Sequence, residues 1–330
     1  MASSTATHPV QNDGQQPVPR KYTVLERLRK GDEVTYLITL AAAFSILLVT
    51  GLLVLQLWKT STLSRHAFGW SFFTTSTWDP ISGDFGALPF IYGTVLTSAI
   101  GLVIAVPLGL GAAIFLAELA PRKISDALTF LIELLAAVPS VIYGLIGIFV
   151  LIPILSGVVV PSLKKVLGFL PIFSGPFYGV SYFSAGVILS LMIVPFIVSI
   201  SREVLIAVPQ TQREAMLALG ATKWDVTWRA VLPYARRGIM GSVFLALARA
   251  LGETMAVTMV IGNVPQIKAS LFAPGYTIAA AIANEFTEAT GDLYVSALIE
   301  LGLVLFLVTM IINALARVMI LTMGSIEVSE

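Results

Sequence analysis

The chain alternates between long apolar runs and shorter polar segments. Six apolar runs predict membrane-crossing helices, because each exceeds the about 20 residues that span about 30 Å of hydrocarbon. The predicted spans cover residues 34–58, 90–118, 126–155, 182–207, 237–263 and 293–322. Three spans contain a proline, Pro107, Pro139 or Pro195, which membrane helices tolerate where neighbouring helices satisfy the freed backbone groups. This pattern predicts an all-α polytopic membrane protein.

The same pattern divides the chain into two regions. Residues 1–33 are polar, rich in Gln, Ser, Thr and Pro, and end in a basic cluster, so we expect a disordered cytoplasmic tail. Residues 34–330 form the predicted transmembrane domain. The first apolar run is too long for the h-region of a signal peptide and lacks a small-residue cleavage site.

Residues 208–233, here called the polar loop, separate the fourth and fifth apolar runs. Pro209 suits a helix start, since its missing N–H would be unsatisfied there anyway. Gly220 suits the end of that helix, where a left-handed residue costs glycine little. Thr222 and Asp225 have the spacing of a capping box, which predicts a second short helix. The polar loop is too elaborate for a simple connection.

Composition narrows the class of protein. The chain is 57% hydrophobic and 12% charged, with a net charge of +1, which argues against a soluble domain and gives no reason to expect a nucleic-acid partner. It has no cysteine, which excludes disulfides, thiolate chemistry and Cys-based metal sites. Its two histidines, His8 and His66, lie outside the apolar runs, so a histidine proton relay inside the membrane is excluded.

The basic residues set the expected orientation, because Lys and Arg favour cytoplasmic loops. Of the 20 Lys and Arg, fourteen lie on the side of both chain ends and the polar loop, and five on the other. We therefore expect both termini and the polar loop in the cytoplasm, with Glu118 at the membrane edge beside Arg122 and Lys123. Aromatic residues in the long outer loops, 59–89 and 156–181, fit either an interfacial belt or a docking surface for an outer partner.

The polar loop resembles the EAA loop of ABC-importer permeases. The matching residues are Glu214, Ala215, Gly220, Leu232 and Pro233. Met216 and Ala230 depart from the family's usual Ala and Ile, but the spacing from glycine to proline is intact. In that family the first short helix docks into a cleft of the ATPase subunit, so the resemblance assigns ATPase coupling to Glu214, Ala215, Gly220 and Pro233. Pro233 is also predicted to stop the second short helix.

Further strings resemble the PstC-type permease subunit of phosphate-specific ABC importers. They are FGALPFIYGTVLTS (Phe85–Ser98), IELLAAVPSVIYGL (Ile132–Leu145), LARALGETMAVTMVIGN (Leu247–Asn263) and ANEFTEA (Ala283–Ala289). The GETMAV string is the most specific, because PstA-type sister permeases are similar to it only as far as Gly-Glu-Thr. The resemblance covers most of residues 85–325. It implies the type I ABC-importer permease fold and the import of inorganic phosphate by alternating access.

The resemblance also implies partners. They are a PstA-type sister permease, two PstB-type ATPase subunits that bind ATP and Mg, and a PstS-type outer phosphate-binding protein, at the bacterial plasma (inner) membrane. No G-x-x-x-x-G-K-[ST], H-E-x-x-H or G-x-S-x-G string occurs here, so we expect neither an ATPase site nor a cofactor in this chain. The alternatives are a permease for another oxyanion (sulfate, molybdate or phosphonate), a membrane enzyme, or a stand-alone secondary transporter, which would carry inverted repeats.

Arg249 and Glu253 lie four residues apart in the fifth apolar run, which predicts a shared helical face. An arginine at the centre of a membrane helix costs about 2.5–3.5 kcal/mol and usually marks a pathway or a partner. Because a guanidinium can bind two phosphate oxygens at once, we predict that the pair lines the phosphate path. Glu253 would accept from a protonated phosphate oxygen or hold Arg249 in place. The alternative is a self-neutralising structural pair.

Two residues with hydroxyl side chains are further candidates for the path. Thr254 adjoins the charged pair, and Ser140 follows Pro139 in the third apolar run. Each hydroxyl can face the path. Alternatively, Thr254 bonds to its own helix backbone, and Ser140 satisfies the carbonyl that Pro139 frees.

Overall fold

The computed structural model describes residues 32–322 and consists mainly of helices. Five helices are long and apolar enough to cross a membrane: Val34–Thr60, Leu88–Leu119, Ser140–Leu167, Tyr182–Ile206 and Asp292–Thr322. A sixth candidate span is the pair Lys223–Leu251 and Met255–Ile261, which is bent by 62°. The predicted fold class is confirmed, with six spans if the bent pair counts as one. The predicted disordered tail falls almost wholly outside the described residues.

The elements follow one another along the chain as helices with one small hairpin. The first helices are α1 (Asp32–Thr60), α2 (Thr62–Phe68) and α3 (Ser71–Thr74), followed by β1 (Trp78–Asp79) and β2 (Asp84–Phe85). Next come α4 (Leu88–Ile114), α5 (Arg122–Ala136), α6 (Ser140–Ile146), α7 (Ile152–Ile154), α8 (Val160–Leu167) and α9 (Tyr182–Ile206). The last are α10 (Gln210–Ala218), α11 (Lys223–Val226), α12 (Leu232–Leu251), α13 (Met255–Ile261), α14 (Ile278–Glu285) and α15 (Asp292–Thr322). The chain separates into two compact units between Gln56 and Leu57, within α1.

Helix α9 is the centre of the larger unit. It packs along α4 and also contacts α5, α12 and α13. A glycine allows the close approach of α4, because a Cβ on Gly109 would lie 2.8 Å from Ile197 Cγ2 of α9. Small residues at such contacts let membrane helices pack closely. Both Pro107 and Pro195 lie inside continuous helices, as predicted.

The third span differs from its prediction, which placed it at residues 126–155. Helix α5 ends at Ala136, and the membrane-length helix runs from Ser140 to Leu167. Pro139 causes the break, because a proline disfavours helical backbone at the residue before it and is itself extended here, with ψ 140°. The predicted outer loop 156–181 is correspondingly shorter, since helix occupies it as far as Leu167. Two π turns, at residues 147–151 and 155–159, lie within this span.

The aromatic residues of the predicted outer loops divide into a packed group and an exposed group. Trp78 is 8% exposed and packs edge-on against Phe85 and Phe90, with both ring centroids 4.8 Å away. Its indole N–H donates to Glu285 Oε2 at 2.8 Å, and Tyr294 donates to the same oxygen at 2.7 Å. This group is a small core that ties the β1–β2 hairpin to α14 and α15. Trp70, Phe169 and Tyr178 are exposed instead, as either reading of the outer aromatics requires.

Candidate functional site

The polar loop begins with the first of the two predicted helices. Helix α10 follows Pro209 and ends at the predicted glycine, because Gly220 has φ +81°. The Gly220 amide donates to Leu217 O at 2.9 Å and the Ala221 amide to Met216 O at 3.2 Å. These two bonds form a Schellman motif, which satisfies carbonyls that the helix end would otherwise leave free. The sequence signal for this helix end is therefore confirmed.

The second helix of the polar loop starts as predicted but ends differently. The Asp225 amide donates to Thr222 Oγ1 at 3.2 Å, and the Thr222 amide donates to Asp225 Oδ2 at 3.3 Å, which completes a capping box. Pro233 was predicted to stop this helix, and that prediction is wrong. A π turn at residues 227–231 joins α11 to α12, and Pro233 lies in the first turn of α12. The helix therefore continues from Lys223 to Leu251 through Pro233, since a local π turn can accommodate the missing N–H of a proline.

Helix α10 has an exposed face and a buried face. Glu214 and Ala215, which the resemblance assigns to ATPase coupling, are exposed. Arg213 and Met216 point the other way, and Met216 packs against an apolar cluster formed by the ends of α4, α9 and α12. Glu214 and Ala215 are therefore accessible from outside this chain, while the other face of the helix rests on the spans.

The sequence prediction missed the partner of Arg213. Its guanidinium donates to both oxygens of Glu118, from Nη2 at 2.8 Å and from Nε at 3.4 Å. It also donates to the carbonyls of Leu205, at 2.8 Å, and Val208. The side chains of Arg213 and Glu118 are only 13% and 10% exposed. Glu118 was expected beside Arg122 and Lys123, and its buried partner 95 residues away gives no signal in the local sequence.

Arg249 lies two residues before the end of α12. It is exposed, and its guanidinium carbon is 5.9 Å from the ring centroid of Phe196 on α9. The prediction of a shared helical face with Glu253 is wrong, because α12 ends at Leu251 and the chain bends by 62° before α13. Among the ion pairs of residues 32–322, none joins Arg249 to Glu253.

Because α13 begins after a break, Glu253 has a structural role that does not involve Arg249. Its Oε1 accepts a hydrogen bond from the amide of Ala256 at 3.1 Å, so the carboxylate caps the first turn of α13. A negative charge at this position also suits the positive end of a helix dipole. Thr254 Oγ1 donates weakly to Gly252 O, at 3.4 Å. Glu253 and Thr254 are both partly buried.

Ser140 belongs to a second helix that starts at a break. It is the first residue of α6, which follows Pro139, and it is partly buried. Helix α6 packs against α13, where Gly144 faces Met259 and Ala256. Tyr143, three residues after Ser140, donates its hydroxyl to the carbonyl of Leu135 at 2.8 Å, across the first of the two breaks. The fold thus brings two helix breaks, at residues 137–139 and 252–254, and a charged arginine into one region.

Arg249 is the exposed cationic side chain at this pair of helix breaks. Within the described residues, no group of three or more His, Asp or Glu side chains is placed to hold a metal ion. An exposed guanidinium without an acidic partner among these residues is free to donate to an anion in fork geometry.

Comparisons with known proteins agree with this architecture. Residues 105–320 match the family described as binding-protein-dependent transport system inner membrane component. The chain is 49% identical over 301 residues to the phosphate transport system permease protein PstC of Mesorhizobium japonicum, covering 90% of this chain and 92% of that protein. It is 44% identical to the protein of the same name from Haemophilus influenzae, covering 92% of this chain and 96% of that protein.

Two solved structures show the same fold at low identity. One is a bacterial alginate ABC transporter in complex with its alginate-bound periplasmic protein, with a TM-score of 0.57, 16% identity, and coverage of 89% of this chain and 98% of that chain. The other is an inward-facing MetNI methionine ABC transporter, with a TM-score of 0.51, 15% identity, and coverage of 73% and 95%.

Proposed function

The chain belongs to the family of binding-protein-dependent transport system inner membrane components and is a permease subunit of a phosphate ABC importer, and from that premise we propose how its residues carry phosphate. The observation that carries the assignment is 49% identity over nine-tenths of the chain to a phosphate permease. The family match over residues 105–320 includes the bent pair of helices with Arg249 and the polar loop. These are the two features that a driven anion path requires.

The polar loop is the part of this chain on which the ATPase subunit acts. We propose that the exposed face of α10, with Glu214 and Ala215, docks on an ATPase subunit that binds ATP and Mg. Gly220 sets where α10 ends, and Pro233 follows the π turn that leads into α12. Both termini and the polar loop then face the cytoplasm, which agrees with the excess of Lys and Arg on that side.

The anion path passes Arg249. Its side chain is exposed on this subunit although it lies inside an apolar segment, and such a charge normally faces a pathway or a partner subunit. Arg249 faces both a pathway and a partner subunit if the path runs between this chain and a sister permease. Arg249 binds two phosphate oxygens, while Glu253 keeps α13 in register by capping its first turn. The hydroxyls of Ser140 and Thr254 lie beside the two breaks and offer further donors.

The proposed assembly contains this chain, a PstA-type sister permease, two PstB-type ATPase subunits and a PstS-type outer phosphate-binding protein. Alternating access between outward-open and inward-open forms moves the anion, with energy from the ATPase subunits. No cofactor is required in this chain. In this arrangement the exposed outer aromatics, Trp70 and Tyr178 among them, face the binding protein or the membrane surface.

The test is phosphate uptake by a strain that lacks this gene, with and without the gene restored. We expect the restored strain to take up labelled inorganic phosphate and this chain to copurify with an ATPase subunit. Sulfate and molybdate, offered separately, should not be transported. Uptake of another oxyanion instead of phosphate would overturn the substrate, and uptake by the purified chain alone would overturn the ABC mechanism.

A further inference from the structure

The most buried ion pair among residues 32–322 lies outside the candidate anion path. Arg213 and Glu118 are joined at 2.8 Å with side chains 13% and 10% exposed. The other two ion pairs of the described residues, Arg202–Asp126 and Arg229–Asp225, are both 3.8 Å long and more exposed. Buried pairs of this kind are weak evidence for stability, because desolvation offsets their attraction. Stability alone therefore does not account for the Arg213–Glu118 pair.

The contacts of Arg213 reach three separate elements. Arg213 itself lies on α10, the helix that carries the exposed coupling residues. Glu118 lies at the end of the span Leu88–Leu119, while the carbonyl of Leu205 closes the span Tyr182–Ile206 and Val208 begins the polar loop. A planar guanidinium can hold all of these acceptors at once, because its donors form a rigid fork. One side chain thus fixes the coupling helix to two spans.

Those two spans lead to the candidate anion path. The span Leu88–Leu119 packs along α9, and α9 packs against α12, whose Arg249 faces Phe196 of α9. Energetic coupling between distant sites is carried by such contiguous packed elements. In a water-poor site, breaking the pair would leave an uncompensated charge, so the fork resists being pulled apart.

We propose that the Arg213–Glu118 pair is the linkage that makes α10 and the spans Leu88–Leu119 and Tyr182–Ile206 move as one body when an ATPase subunit moves α10. Arg213 and Glu118 are positioning residues, since neither faces the ATPase or the anion. The proposal rests on the proposed docking of α10 and adds how a movement of α10 is transmitted to the two spans.

The test measures phosphate transported per ATP hydrolysed by the complete importer in vesicles. We expect Arg213→Gln to lower this ratio about tenfold, within the about 5–150-fold range of coupling between sites, while ATP hydrolysis continues. Arg213→Lys keeps the charge but loses the fork, so it should recover only part of the ratio. The matched control is Arg237→Gln, which removes one positive charge from an exposed position on α12, outside the polar loop, and should leave the ratio unchanged.

A double variant separates linkage from simple folding. Replacing the pair by Glu118→Leu and Arg213→Met removes both buried charges, so the complex should assemble as well as the parent. We expect its transport ratio to stay low, because the fork is gone. An assembled double variant with the parent ratio would overturn the linkage, since a merely structural pair is replaceable in this way.

A third variant separates the linkage from the proposed function. Glu214→Arg reverses a charge on the exposed face of α10 without touching the buried pair. If Glu214→Arg stops transport while the pair variants keep the parent ratio, the linkage is wrong and docking stands. If Glu214→Arg also keeps the parent ratio, the docking of α10 is wrong, and the linkage fails with it.

Discussion

Arg249 is the residue on which the proposed anion path depends most. It is exposed near the end of α12, and no acidic side chain of the described residues pairs with it. An unpaired intramembrane charge is costly unless it faces a path or a partner. We therefore expect Arg249 to act in transport through the geometry of its own guanidinium and not through a pair with Glu253.

Arg249→Lys tests that geometry. Lysine keeps the positive charge but is a point donor that cannot grip two oxygens in parallel. We expect phosphate uptake to fall at least about tenfold, the equivalent of 1.4 kcal/mol, measured as initial rate in vesicles that contain the full complex. Arg237→Lys, at an exposed position earlier on the same helix, is the control and should leave uptake unchanged. An unchanged rate for Arg249→Lys in an assembled complex would remove Arg249 from the path.

Glu253 calls for a different experiment, because its carboxylate caps α13. Glu253→Ala removes the oxygen that accepts from Ala256 and should cost about 1 kcal/mol of stability, the usual value for a lost cap. Glu253→Gln keeps an oxygen acceptor, so it should melt close to the parent and lose uptake only modestly. Thermal unfolding and uptake are measured on the same preparations. A steep loss of uptake in Glu253→Gln, with a changed pH dependence, would instead mean that the carboxylate handles a phosphate proton.

Substitutions of Gly220 test whether the end of α10 matters for coupling to the ATPase subunit. Its φ of +81° suits glycine, and a Cβ there would meet no atom within 4 Å. A side chain at this position therefore meets no steric clash with other residues. Its cost is the left-handed backbone conformation, about 1–2 kcal/mol for an L-residue. Gly220→Val should distort the end of α10 and lower phosphate transported per ATP, measured in vesicles.

The matched variant at this position is Gly220→Asn. Asparagine adopts left-handed backbone more readily than β-branched residues, so this variant should keep most of the transport ratio. Equal ratios for valine, asparagine and the parent would show that the Schellman end of α10 has no part in coupling.

The elements that could be predicted from the sequence are those with local signals. The end of α10 at Gly220 and the Thr222–Asp225 capping box both depend on residues within one turn, and both are confirmed. The third span could not be placed, because a proline in an apolar run reads equally as a kink or a break. Only the neighbours decide, and here α6 begins anew at Ser140 and packs on α13.

The candidate site was harder to predict than the fold for the same reason. Arg249 stands out in sequence as a charge in an apolar run, but the sequence prediction missed the 62° bend that separates it from Glu253. The Arg213–Glu118 pair spans 95 residues, so no periodicity or motif points to it. Long-range ion pairs become visible only when the helices are assembled.

The orientation of the spans in the membrane decides whether the polar loop can contact a cytoplasmic ATPase subunit. The chain has no cysteine, so single cysteines report their side of the membrane without background. We predict that a cysteine at Ser82 reacts with an impermeant maleimide in intact cells, and that one at Thr211 reacts only after the cells are opened. Both positions are exposed, so burial cannot explain a failure to react.

The two cysteine sites should leave the fold intact. Ser82 donates to Asp79 in the β1–β2 turn, but Asp79 also accepts from the Ile81 amide at 2.9 Å. The Ile81 amide is the largest of the causes that hold the pKa of Asp79 below its usual value, and this amide bond remains when the Ser82 hydroxyl is replaced. Reversed labelling would put the polar loop outside, where no ATP-driven subunit can reach it. That result would contradict both the coupling role of α10 and the linkage through Arg213, whatever the transport assays gave.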